Sequence, residues 1–167
     1  MTLNELNQLT YDQAVSELTK CCGSTNWVAE MIRSGPYETE ESLLRNAEKV
    51  WFYCFENDWL EAFEHHPKIG DTASLEEKFT TTKDWAGEEQ QGVQVASREA
   101  LEKLVELNKA YEEKFGFIFI VCATGKSVEE MLALLEERMK NDYEHELQIA
   151  MGEQHKITLL RLKKLLS

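Results

Sequence analysis

Proline is scarce in this chain: only Pro36 and Pro67 interrupt its 167 residues. Long helices are therefore allowed over most of its length, because proline removes a backbone donor and breaks a helix interior. Basic residues are also in short supply, 18 against 31 Asp and Glu, giving a formal net charge of -13. That balance argues against a surface for duplex nucleic acid or anionic membranes, which needs clustered Lys and Arg. It leaves room for a small anionic substrate, since one buried arginine can hold a carboxylate within an acidic protein. The rest of the negative charge reads as a solvated surface. No run of about 18 apolar residues is present, so no membrane-spanning helix is expected.

Cysteine occurs as Cys21, Cys22, Cys54 and Cys122, with no CxxC pair, and adjacent Cys21 and Cys22 are poorly placed for an ordinary bridge. Reduced, mostly buried thiols in a cytosol are expected; Cys122 stays open as a nucleophile. Metal-binding spacings are missing as well. His65 and His66 are adjacent and point in different directions, Glu144, His145 and Glu146 are consecutive, and there is no HExxH, so no metal is expected. His65, His145 and His155 are expected to be exposed. Thr124–Gly125–Lys126–Ser127 looks like the end of a phosphate loop, but the first glycine of that motif would fall at Ile120, so the motif fails. The stretch MTLNELNQLTYDQ lacks the basic segment and apolar core of a signal peptide, and KKLLS does not match a terminal SKL address. The expected location is cytoplasmic.

What is present is ordinary for a globular protein: 43% hydrophobic and 29% charged residues, in a length suited to one domain with a real core. Most segments have helical spacing. Tyr11–Cys22 carries Ala14, Val15 and Leu18 before Gly23. Ser24–Thr25–Asn26 offers caps for a helix through Trp27, Val28, Met31 and Ile32, and Ser34–Gly35–Pro36 is a turn. A helix starting after Thr39 carries Leu43, Leu44, Ala47, Val50, Trp51 and Cys54. A break near Asn57–Asp58 precedes a shorter helix from Trp59 to about His65. One short helix is expected around Leu75–Phe79, within the polar stretch Thr72–Thr82, and a long one from roughly Trp85 to Lys114. Ser127 and Glu130 form a capping-box pattern ahead of a helix to about Met139, and the last helix spans Tyr143–Leu166. Phe115–Cys122, FGFIFIVC, is β-capable but has no partner strand. The expected fold is all-α, a single-domain compact bundle of about eight or nine helices over residues 1–167, with an extended buried connector near 115–123.

Three groups stand out against this background. In EHHPKIGD (Glu64–Asp71), Pro67 forbids simple continuation of the preceding helix and pushes His66 out of the α region. His66 is then either an acid/base aimed into a cleft or a solvated helix stop. Stepping back from Val93, Ala96, Ala100, Leu104, Leu107 and Tyr111 along the long helix reaches Glu89. A carboxylate on a buried line is costly unless paired or used, whereas one at an emerging helix N-terminus is favourable. Arg161 shares a face with Ile157 and Leu165, either as a buried charge or snorkelling to the surface. A His–Glu pair can hold imidazole in one tautomer and raise its pKa, and arginine can grip a planar anionic or ureide-like group. Together they suggest cofactor-free proton transfer or carbon–carbon cleavage on a small polar anion.

The segments CCGSTNWVAEM, LEAFEHHPKIGD, EEQQG, LNKAYEEKFGFIFIVCATGKS, ERMKNDYEHEL and KITLLRL, in this order, span nearly the whole chain. Their combination of HPxIGD, EQ-x-G and KFGF closely resembles the 2-oxo-4-hydroxy-4-carboxy-5-ureidoimidazoline (OHCU) decarboxylases of urate (purine) degradation. The resemblance implies an all-helical lyase that needs no cofactor and yields (S)-allantoin. By position it makes His66 the catalytic acid/base, Glu89 the acidic residue beside it and Arg161 a substrate-binding arginine. Gln90 would bind the ureide or ring, and Pro67, Phe119, Ile120 and Val121 would line the pocket. Members of the family often form homodimers. Two positions depart from the family pattern: Ala86 stands where a serine is common, and Ile118 replaces the proline of FGFPF. The first loses a hydroxyl that could bind substrate; the second could loosen the connector. Two other functions remain open, an enzyme acting on a related ureide and a catalytically idle ligand-binding helical module. A purely structural reading would place His66, Glu89 and Arg161 at the surface, far apart.

Overall fold

The structure, a computed structural model, describes residues 1–67 and 90–167, without the side chains of 90–97. The described residues form eight helices and no strand: α1 (Leu3–Asn7), α2 (Tyr11–Cys21), α3 (Thr25–Ser34), α4 (Glu40–Tyr53), α5 (Glu56–Glu64), α6 (Gln90–Phe115), α7 (Val128–Arg138) and α8 (Tyr143–Leu165). The all-α expectation is met. The helix expected around Leu75–Phe79 and the expected helix start at Trp85 lie outside the described residues.

Short polar residues start the helices. Thr10, Ser24, Thr39 and Ser127 each accept a hydrogen bond from a backbone N–H three residues on, satisfying a donor that the first turn leaves without an intrahelical partner. At α3 the carboxylate of Glu61 adds to the cap, accepting from Thr25 N–H at 2.6 Å and from its hydroxyl at 2.9 Å. Helix α1 was not expected, although Thr2 and Glu5 form a capping box around its start.

One boundary differs from expectation. The break between the fourth and fifth helices falls at Cys54–Phe55, not at Asn57–Asp58. Asp58 is inside α5 and buried; its carboxylate accepts from Phe55 N–H at 3.0 Å and from Asn26 Nδ2 at 2.7 Å. An aspartate that looks like a helix breaker therefore stabilises a helix N-terminus, where its negative charge meets the positive end of the dipole.

The chain divides into two compact units. The first comprises Met1–His66, Ile120–Cys122 and Ile149–Ser167. Its core holds Trp27, Met31, Leu43, Trp51, Phe63 and Leu162, each at most 1% exposed. A buried indole needs a partner for its N–H. Trp27 Nε1 donates to Ala47 O at 3.1 Å, and Trp51 Nε1 to Met151 O at 2.8 Å, which pins α8 to α4. The second unit comprises the described residues of Pro67–Phe119 and Ala123–Gln148. Here α6 packs on α7, and Tyr111 is surrounded by Phe115, Phe117 and Phe119 with ring centroids at 4.6, 5.8 and 5.4 Å. Gly116, at φ +80°, stops α6, its N–H donating to Glu112 O at 2.8 Å; this left-handed cap favours glycine. The chain then runs without regular structure to Ser127, as the expected connector. Among the described residues no helix is long and apolar enough to cross a membrane.

Candidate functional site

Helix α5 ends at Glu64 as the proline requires, and the His65 and His66 N–H groups close a tighter last turn on Ala62 O and Phe63 O, both at 3.2 Å. His66 is half-buried, and its Nε2 lies 2.5 Å from Oε1 of Gln154, a fully buried glutamine of α8. The Gln154 amide is itself held: Nε2 donates to Thr158 Oγ1 at 3.1 Å, and Thr158 Oγ1 donates to Gln154 O at 3.0 Å. The thiol of Cys22 is fully buried, and burial pushes it up to about 12. Burial likewise raises Cys21 to about 11 and Cys54 to about 12, so these three are protonated, weakly nucleophilic groups at neutral pH. None of the four cysteines forms a disulfide; Cys21 and Cys22 are buried, Cys54 and Cys122 half-buried.

Arg161 is half-exposed, not a buried charge. It stands in the wall of a cleft of about 620 Å³, whose other lining residues include Ser16, Thr19, Lys20, Gly23 and His65. Its Nη1 lies 3.4 Å from Lys20 O. Gln154, Thr158 and Arg161 follow steps of four and three along α8, and the rise from Gln154 to Arg161 is about 10 Å. One face of α8 thus carries the partner of His66 and, two turns on, the arginine of the cleft.

Close approach holds His65 in the same cleft. A Cβ placed on Gly23 would overlap the Cβ and ring of His65. Gly23→Ala is therefore expected to destabilise the protein by roughly 1–3 kcal/mol, as overpacking does. Urea unfolding monitored by circular dichroism measures it; unchanged stability would mean that His65 moves aside freely.

The other expected site residues are placed as follows. Glu89 lies outside the described residues, and so does the side chain of Gln90, the first residue of α6. Ala86 lies outside them too. Pro67 is exposed. Phe119 is 8% exposed, its ring packed against Tyr111 and under the Arg138 guanidinium at 4.5 Å. Ile120 is buried and Val121 half-buried; Cys122 N–H donates to Glu153 Oε1 at 3.4 Å. The structure thus brings His66 to α8 and Arg161 to a cleft containing His65.

Two polar networks on α8 were not foreseen. One is Gln154–Thr158. The other surrounds Glu146, fully buried, which accepts from Tyr111 OH at 2.6 Å, Arg138 Nε at 2.6 Å and Asn141 Nδ2 at 3.0 Å. His155 is also a correction: it is buried, at 8% exposure, with the Phe52 ring edge-on at 5.4 Å, and burial lowers its pKa. His65 and His145 are exposed as expected. The buried stripe of α8 runs through Leu147, Ala150, Met151, Gln154, Thr158 and Leu162, whereas Ile157, Arg161 and Leu165 are half-exposed. Following Leu147 and Met151 by fours and threes reaches Gln154 and Thr158, a signal legible in the sequence.

These features define a class: a helical domain that presents an imidazole at a helix end and an arginine in a cleft, with no group of three or more potential metal ligands among the described residues. A family model described as OHCU decarboxylase matches residues 7–163. The chain belongs to the OHCU decarboxylase family. It is 43% identical to "Uric acid degradation bifunctional protein TTL" of Arabidopsis thaliana, over 88% of this chain and 45% of that protein. It therefore spans less than half the length of that relative. It is 34% identical to a "2-oxo-4-hydroxy-4-carboxy-5-ureidoimidazoline decarboxylase" of Xenopus laevis, over 97% of this chain and 93% of that one. Among solved structures, OHCU decarboxylase in the presence of (S)-allantoin matches with a TM-score of 0.72 and 41% identity, covering 90% of this chain and 96% of that one.

Proposed function

We propose that residues 1–167 form one OHCU decarboxylase domain that converts OHCU to (S)-allantoin without a cofactor. The observation that carries this reading is His66, held at the end of α5 by a buried amide, in a chain whose family match runs through both compact units. The substrate carboxylate leaves as carbon dioxide, and the electron pair of the broken bond passes towards the neighbouring ring imine. His66 takes the hydroxyl proton as that carbon becomes a carbonyl and delivers a proton to one face of the carbon bearing the ureido group. Glu89 stands beside the substrate carboxylate, where its charge opposes the ground state or forms part of a preorganised field. Arg161 and Gln90 bind the polar groups of the substrate, and Pro67, Phe119, Ile120 and Val121 line its pocket. Since Phe119 buries its ring, its contribution is through the backbone. The enzyme works in the cytoplasm, and the exposed Phe52, Tyr53 and Phe55 offer an apolar surface for a homodimer.

The test is to supply freshly generated OHCU, made from urate by upstream enzymes, and to follow the optical activity of the product. Rapid formation of (S)-allantoin alone is expected. Racemic product at the spontaneous rate would overturn the assignment and favour a related ureide or an idle binding module.

A further inference from the structure

The glutamine behind His66 has a consequence for proton transfer that neither the motif nor the family assignment contains. A neutral imidazole carries its proton on one nitrogen and accepts at the other, and its neighbours decide which. One neighbour of His66 is Gln154, whose orientation is set by its own partners. Thr158 Oγ1 donates its single hydrogen to Gln154 O at 3.0 Å, so towards the amide it can only accept. That makes Nε2 of Gln154, 3.1 Å away, the donor to Thr158 and leaves Oε1 as the atom facing His66. A carbonyl oxygen accepts only, so the His66 nitrogen 2.5 Å from it bears hydrogen.

We propose that Gln154 is a positioning residue that fixes His66 as the Nε2–H tautomer, making Nδ1 the nitrogen that exchanges a proton with substrate. The inference rests on the acid/base role assigned to His66 above. An amide does this differently from the carboxylate that often stands behind a catalytic histidine. It orients the ring and selects the tautomer without placing a full negative charge on Nε2–H, so it does not strongly favour imidazolium. Burial of the amide fits the same purpose. A fully buried glutamine is costly unless both ends are bonded, and here one end meets Thr158 and the other His66. A methionine of similar length would fill the space without that requirement.

The experiment compares wild type, Gln154→Met, Gln154→Glu and Thr158→Val, using side-chain nitrogen chemical shifts of ¹⁵N-histidine-labelled protein together with kcat and KM for OHCU. Wild type is expected to show His66 as the Nε2–H tautomer. Gln154→Met should mix the tautomers and lower kcat by about 10- to 100-fold, the usual effect of removing the group that orients a functional histidine, with KM little changed. Gln154→Glu keeps an acceptor at the same place and should keep the tautomer. Thr158→Val frees the amide to rotate and should mix the tautomers less than the methionine variant, which protects the test if one variant folds poorly. A His66 that is Nδ1–H in wild type, or that stays Nε2–H with undiminished kcat in Gln154→Met, overturns the proposal. If wild type makes no (S)-allantoin yet the tautomers respond as stated, the decarboxylase reading fails and the positioning role of Gln154 survives.

Discussion

Replacement of His66 by glutamine is expected to lower OHCU turnover by about 100- to 10,000-fold, the usual contribution of a positioned general acid or base. The fold should survive. His66 is half-buried at the end of α5, and its backbone N–H bonds Phe63 O whatever the side chain. A glutamine there still offers an N–H towards Gln154 Oε1, so it replaces much of the packing and part of the polar contact. What it lacks is a nitrogen that gains and loses a proton near neutral pH. The substitution thus separates proton transfer from positioning. The measurement is the initial rate of (S)-allantoin formation, with circular dichroism as the control on folding. A folded variant with wild-type turnover would remove His66 from the chemistry. Affinity for a substrate analogue should change far less than kcat, because the binding groups assigned to Arg161 and Gln90 are untouched.

Much of the architecture was legible because it depends on local rules. Thr39, Ser24 and Ser127 cap helices where their spacing to the following apolar residues predicts, and Pro67 ends α5 two residues beyond its C-cap, His65. The FGFIF segment forms no strand, as the lack of a partner implied. Position 58 was misjudged because aspartate serves equally as a helix breaker and as the third residue of a helix that caps its own start; only the contact with Phe55 N–H decides. The same limit governs the site. Helical periodicity locates a buried stripe, but it cannot say which polar residues on that stripe find partners. Gln154 and Glu146 are held by residues distant in sequence, His66 and Tyr111, and those pairings exist only after folding. On α8 Arg161 was singled out over Gln154, which lies two turns earlier and more deeply buried, since arginine inside an apolar line draws notice and glutamine does not.

The largest loss of stability is expected from Glu146→Ala. The carboxylate is fully buried and accepts three hydrogen bonds, from Tyr111, Arg138 and Asn141. Its ion pair with Arg138 is also buried, the side chains being 7% and 0% exposed. Removing one member of such a pair costs more than the pair is worth, because the other charge stays out of water without its counter-ion; about 3–5 kcal/mol is typical. For a domain of this size that lowers the melting temperature by roughly 10 °C. Tyr111 would suffer as well. Burial, and next the bond to Glu146, push its phenol far above the ordinary range, so at every accessible pH it is a donor that needs an acceptor. Thermal unfolding of Glu146→Ala beside the double variant Arg138→Met, Glu146→Leu distinguishes the two contributions. The double variant should recover most of the loss, since well-packed apolar residues often replace a buried pair at no cost. If it is as unstable as the single variant, the network matters for its shape around Phe119 and not for its charge. The Arg138 guanidinium lies over the Phe119 ring, within the connector, so a loosened network would also be felt at Phe119. Activity measured well below the melting temperature should then fall in Glu146→Ala by less than in His66→Gln, because geometry is disturbed while the proton-transfer group remains.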